Sequence, residues 1–350
     1  MMSAAPATAA NIPVENLKWV LDPSSATEAN TFYVHTDAGA MLLVQIAYST
    51  MSWSPSVQVS AAFHSPDGLK KRHTASLSGS SHTPSADGLS VTCENMSIKF
   101  DAAKNSYKVV LSAAPSFVAD FEFVADDGFY HGGEHQVPFK KDDPSVGYVS
   151  AQFSPKGRVT GHVIADGKLH DVNGSGLFVK ALQKVPQSVG RWSFIDFQND
   201  KDALLMYQYE LPEGYDYDFP LRSEGYVVLN HKTVAVTLDN RTRLLKTAYD
   251  SFSGYEIPSA AEYTWSGTAF DGRPLKVEMS LQLTHMIDKI DLLGELPWMV
   301  RKFIQTCITA PFVYQWFEDA TAEVTLGEEK FTLKGKVFHE NAFLAEIPNN

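Results

Sequence analysis

Cysteine is scarce in this 350-residue chain: Cys93 and Cys307 lie far apart, so no disulfide framework is indicated. No run of about 18 apolar residues occurs, which excludes a simple helical membrane span. Positive charge is short as well, with 29 basic residues against 41 acidic ones and a formal net charge of -12. The cluster Leu69-Lys70-Lys71-Arg72 is too small to offset that balance, so a nucleic acid is excluded as partner. The opening residues "MMSAAPATAANIPVEN" are small and polar, without the basic start and apolar core of a signal peptide. The expectation is a soluble, cytoplasmic protein without a stable membrane anchor, and the sequons at Asn95, Asn173 and Asn240 are read as chance. Nucleophile-elbow, Walker, dinucleotide-binding and Cys-x-x-Cys motifs are all missing, so any chemistry is expected to need no cofactor.

What the chain does have is 44% hydrophobic residues, enough for a substantial core. Short alternating segments rich in Val, Phe, Tyr and Thr run from residue 30 to 285 and resume near the end, broken by Gly, Pro, Asp and Asn. "TFYVHT" and "MLLVQIAYS" around "DAGA" read as a hairpin. Strands at a spacing of about ten residues over the whole chain predict an all-β protein of antiparallel barrels or sandwiches. Their number exceeds one small barrel. Two packed barrels are expected, over residues 16–184 and 185–348, with the change-over near Lys184. One stretch departs from period two: "ELPWMVRKFIQTCI" (295–308) has apolar residues near 3.6-residue spacing and predicts a single short helix capping a barrel end.

His131-Gly-Gly-Glu134-His135 has the H-x-x-E-H spacing of some zinc hydrolases. That spacing joins two imidazoles on one ion only in a helix, and the Gly132-Gly133 pair costs a helix roughly 1 kcal/mol per glycine. The stretch is read as a loop without metal, placed near a cavity mouth where His131 can hydrogen-bond a ligand.

Aromatic residues make up 12% of the chain. Trp192 and Phe194 alternate along one segment and Tyr207 and Tyr209 along the next, so each pair shares a strand face. Core packing explains any one of them, but two tyrosines on one face each need a partner for the hydroxyl. Tyr215, Tyr217 and Phe219 add an aromatic loop. Lys180 stands in an apolar context, where burial would lower its pKa and make it a candidate acid or base; the plainer reading is a lysine that snorkels to the surface.

Several stretches together resemble the fungal Svf1 (survival factor) family of tandem lipocalin-like proteins. They are "TEANTFYVHTDAGAMLLVQIAYS" (27–49), "LFVKALQ" (177–183) with "GRWSFIDFQND" (190–200), "YTWSG" (263–267) with "DGRPL", and "LPWMVRKF…PFVYQW" (296–316). The resemblance covers about Asn16 to Ile347 and implies lipocalin-like barrels that take hydrophobic small molecules. It also marks departures. The family's amphipathic anchor helix and acidic linker are missing, Lys180 stands where the family has a histidine, and Gln187-Ser188 replaces a histidine pair. The block near residue 155 is reduced to "FSPKGR", and Gln208 replaces a glutamate.

Two functions are implied by the resemblance. One is a sphingolipid-type carrier tied to oxidative-stress survival. The other, which the departures favour, is a cofactor-free cyclase of fungal secondary metabolism, a hetero-Diels–Alderase joining a tropolone quinone methide to a terpene. In that expectation Trp192 and Phe194 form the walls, Lys180, Tyr207 and Tyr209 are catalytic donors, and Gln45, Gln208 and His131 are polar contacts.

Overall fold

The structure, a computed structural model, describes residues 12–344 apart from 52, 114, 141, 186–188, 212–220 and 293–310. The period-two patterning of the sequence becomes strand, because only a pleated ribbon buries alternate residues on one face. Phe117–Ala125 alternates buried and half-buried residues along its whole length, and Pro274–Gln282 alternates exposed and buried ones. The fold is all-β, and the described residues form two curled antiparallel sheets of 13 and 10 strands, as the spacing of the segments predicts. The expected helix over 295–308 and the aromatic loop at Tyr215, Tyr217 and Phe219 lie outside the described residues.

The chain divides into two units, one over Ala10–Val137 with Tyr148–Pro186 and the other over Pro138–Gly147 with Gln187–Asn350. In the first, most neighbouring strands are consecutive in sequence; Tyr148–Ala165 pairs with Phe117–Ala125 and with Gly174–Lys184 across short intervening strands, and Ala26–Thr36 pairs with the distant Gly174–Lys184 as well as with Met41–Ser49. That long-range pairing curls the sheet around an aromatic core. Phe32 lies 5.0 Å from Phe178 and 5.8 Å from both Phe121 and Phe123, and Tyr107 stacks on Phe178 at 4.5 Å. A bulge between Ser154 and Gly157 lets the Tyr148–Ala165 strand pass close to this core, since a Cβ on Gly157 would sit 2.5 Å from the Phe123 ring.

The second unit pairs Arg191–Gln198 with Ala203–Glu210 on one side and Glu329–Phe343 on the other. Its core holds Trp265, Trp316, Tyr263 and Tyr314, all buried. The Trp265 indole donates to the Leu205 carbonyl at 2.8 Å, the partner that a buried ring N–H requires. No described helix is long and apolar enough to cross a membrane.

Candidate functional site

Residues two apart on a strand share a face, so Glu28, Asn30, Phe32 and Val34 project together from Ala26–Thr36. Register then fixes their neighbours. Asn30 lies opposite Lys180 and Phe32 opposite Phe178, while Gln152 lies opposite Lys180 on the other side. The inner face of the first sheet is therefore aromatic at Phe32 and Phe178. One step along the strands it becomes polar, with Asn30, Lys180, Gln152 and Glu28.

Lys180 and Glu28 form an ion pair whose side chains are 3% and 2% exposed. Glu28 also accepts from the backbone N–H groups of Val20 at 3.0 Å and Leu21 at 2.9 Å. It thereby ties the N-terminal segment to the sheet. That segment carries Trp19, whose ring lies 4.6 Å from the Lys180 ammonium and whose backbone N–H donates to the Gly88 carbonyl at 3.0 Å. Burial lowers the Lys180 pKa and Glu28 pulls it back up. The lysine neither snorkels nor stands free as a donor, because its ammonium donates to Glu28.

Around this pair sit buried polar atoms that no described residue satisfies. Asn30 is 1% exposed, and neither its carboxamide oxygen nor its nitrogen has a partner. The Tyr107 hydroxyl, the Trp19 indole N–H and both ring nitrogens of His82 are in the same position. His82 packs edge-on against Trp19 at 4.4 Å. Burial, with the Lys180 charge second, lowers its pKa to about 4, so the ring is neutral near pH 7. Burial also raises the Tyr107 pKa, so its phenol remains a donor. Each such orphan costs a folded protein about 1–3 kcal/mol, and native proteins keep few without a reason.

The His131 loop belongs to the same unit. It bends rather than forming helix, as Gly132-Gly133 predicts. Gln152 Nε2 lies 3.2 Å from His135 Nδ1 and donates to Ser150 Oγ at 2.7 Å. The two histidine rings are 5.9 Å apart, and burial lowers both pKa values. Among the described residues no group of three or more His, Cys, Asp or Glu is placed to hold a metal ion.

The remaining expected site residues are elsewhere. Trp192 pairs across the sheet with Tyr209 and Phe194 with Tyr207, so these four do share a face of the second sheet. The tyrosine rings are 5.6 Å apart, and the Trp192 indole donates to Glu340 at 2.8 Å. Burial, then the carboxylates of Glu224 and Glu340, raises the Tyr207 pKa. That face is opposite the one bearing Ile195, Phe197, Leu204 and Met206 of the core. Gln208, lying between the tyrosines in sequence, points to the core side, where it donates to Ser223 Oγ at 3.1 Å and accepts from Thr242. Gln45 is on the face of the first sheet opposite Lys180 and donates to Thr31 Oγ1 at 2.8 Å. Strand alternation thus turns Gln208 away from Tyr207 and Tyr209 and Gln45 away from Lys180, the residues they were expected to join as polar contacts. Asn30, Glu28, Gln152, Trp19 and Tyr107 were not anticipated. The signal for two of them was in the sequence, since Glu28 and Asn30 place polar groups on the face that Phe32 and Val34 continue.

The chain is 24% identical over 347 residues to the ceramide-binding protein svf1 of Emericella nidulans, covering 94% of this chain and 89% of that one. It is 25% identical over 343 residues to the ceramide-binding protein svf1 of Schizosaccharomyces pombe, covering 95% and 90%. Among solved structures, CghA superposes with a TM-score of 0.68 at 12% identity, covering 99% of this chain and 95% of CghA, a likeness of fold alone. The cyclase expectation is overturned, because the relatives similar along almost their full length are named as ceramide-binding proteins and the cyclase reading has only a distant likeness of fold behind it. The profile of the Svf1 family matches residues 4–345, and the chain belongs to that family.

Proposed function

We propose that the protein binds a ceramide-type sphingolipid, with the lipid's polar head in the first unit beside Asn30 and Lys180. The observation that carries this reading is the Asn30 carboxamide, almost fully buried and without a partner on either atom. A ceramide head offers an amide and two hydroxyls. Its amide can pair with Asn30 in both directions, donor to acceptor and acceptor to donor, and a hydroxyl or carbonyl oxygen can take the Tyr107 phenol. The head is neutral. It therefore suits a place where the Lys180 charge is already balanced by Glu28. The alkyl chains would lie along the aromatic wall of Phe32, Phe178 and Tyr107, where burial of apolar surface contributes about 25 cal/mol per Å².

Entry requires the segment carrying Trp19 to part from the sheet, and its holds are the hydrogen bonds to Glu28 and Gly88. The test is a titration of the purified full chain with a fluorescent ceramide, wild type against Asn30→Leu. Asn30→Leu should weaken binding by at least tenfold. Unchanged affinity in a folded variant would remove the head group from this place.

A further inference from the structure

Among the described residues the first unit exposes four large apolar side chains, and three of them belong to two segments that are hydrogen-bonded to each other. Trp53 is fully exposed and Met51 is 42% exposed, both on the turn between Met41–Ser49 and Ser56–His64. The third is Val20, 58% exposed, on the segment that carries Trp19. A tryptophan left wholly in water is unusual, because its ring is among the largest apolar surfaces a side chain can bury. From Thr50 to Pro55 the chain holds no charged residue.

Both ends of the turn are braced. The Thr50 backbone N–H donates to the Ala26 carbonyl at 2.9 Å, and its hydroxyl donates to the Asp22 carbonyl, two residues beyond Val20, at 3.0 Å. At the other end the Gly79 N–H donates to the Pro55 carbonyl at 2.8 Å. Glycine permits that approach, since a Cβ on Gly79 would lie 2.4 Å from the Pro55 Cβ. Both braces lead to the place proposed for the lipid head. Asp22 follows Leu21, which donates to Glu28, and Gly79 opens the short turn before His82, which packs on Trp19.

We propose that this turn docks the protein on a zwitterionic phospholipid bilayer, with Trp53 and Met51 seated at the level of the headgroups. An indole suits that depth, because its ring leaves water while its N–H stays wet. Charge decides which bilayer. A chain of net charge -12 is repelled by an anionic surface, and an uncharged turn adds no attraction to one. The basic cluster Lys70, Lys71 and Arg72 lies toward the other end of the neighbouring strand, where Lys71 pairs with Phe63 and Lys70 with His64. The purpose of docking, delivery of a membrane lipid to the segment bearing Trp19, rests on the ceramide reading; the contact itself does not.

The experiment is co-sedimentation of the full chain with ceramide-free vesicles, of phosphatidylcholine alone and of phosphatidylcholine with phosphatidylserine. Wild type should partition onto the first, without dependence on salt. Trp53→Ser with Met51→Ser should lower the partition coefficient by about tenfold or more, and Trp53→Ser alone should supply most of that loss. Both side chains face water, so the variants should fold, and a titration with fluorescent ceramide in the absence of vesicles should match wild type. No partition of wild type, equal partition of the variants, or binding that needs phosphatidylserine and is lost in salt would overturn the docking surface. Partition that depends on Trp53 in a chain that takes up no ceramide would uphold the surface and remove the ceramide reading instead.

Discussion

At the residue scale the decisive position is Asn30. Its unpaired carboxamide is a cost in the empty protein, so removal should act oppositely on stability and on binding. Asn30→Leu should leave the melting temperature unchanged or raise it, by up to about 1–3 kcal/mol in unfolding free energy, while ceramide affinity falls. Parallel denaturation and binding curves check this, and a large loss of stability would make Asn30 a structural residue. Lys180 was legible in the sequence as a charged residue in an apolar segment. Its partner was not, because Glu28 is 152 positions away and only the curled sheet brings the two together. The sequence shows Asn30 as a polar residue on the face that Phe32 and Val34 continue, but not as an unpaired one. What singles it out is the absence of a partner, and that is a property of three-dimensional packing.

At the element scale, Glu28 joins the N-terminal segment, the Ala26–Thr36 strand and Lys180 in one buried network. Breaking a buried pair from one side strands a charge and costs roughly 3–5 kcal/mol, whereas replacing both partners is close to neutral. Lys180→Met should therefore destabilise strongly. The double variant Glu28→Gln with Lys180→Met should recover most of that loss, because a glutamine oxygen still accepts from Val20 and Leu21. Urea unfolding of the three proteins measures it, and an additive loss in the double variant would mean that the pair does not act as a unit. Strands and hairpins were legible from period-two patterning, and the non-helical His131 loop from its glycine pair. Gln45 and Gln208, expected as polar contacts, project from the faces opposite Lys180 and opposite Tyr207 and Tyr209, because neighbouring positions of a strand alternate sides.

At the scale of the whole molecule, stability should fall as the medium turns acid before any carboxylate protonates. His82 and His339 have pKa values of about 4 and about 3 in the folded chain, lowered from 6.5 mainly by burial. Above pH 6.5 both rings are neutral, folded or unfolded, and this contribution is complete. As pH falls below 6.5 the unfolded chain takes up protons that the folded chain refuses, so stability is lost progressively toward pH 3–4. At pH 5 the loss from His339 amounts to about 2 kcal/mol, with a smaller share from the less deeply buried His82. Unfolding curves at pH 7 and pH 5 test this, and His339→Gln should flatten the difference; an unchanged slope would remove His339 as its source.

All-β architecture was legible over the full length because alternation is local. The site proposed for the lipid head was not, because its groups come from four separated segments: Trp19, Glu28 with Asn30, Gln152 and Lys180. A photoactivatable ceramide, cross-linked to the full chain and mapped by peptide mass spectrometry, tests that site most directly. Adducts competed by unlabelled ceramide should fall on Ala26–Thr36, Gly174–Lys184 or the segment bearing Trp19. Adducts confined to residues 189–344, or none that ceramide competes, would contradict a lipid head held by Asn30 and Lys180.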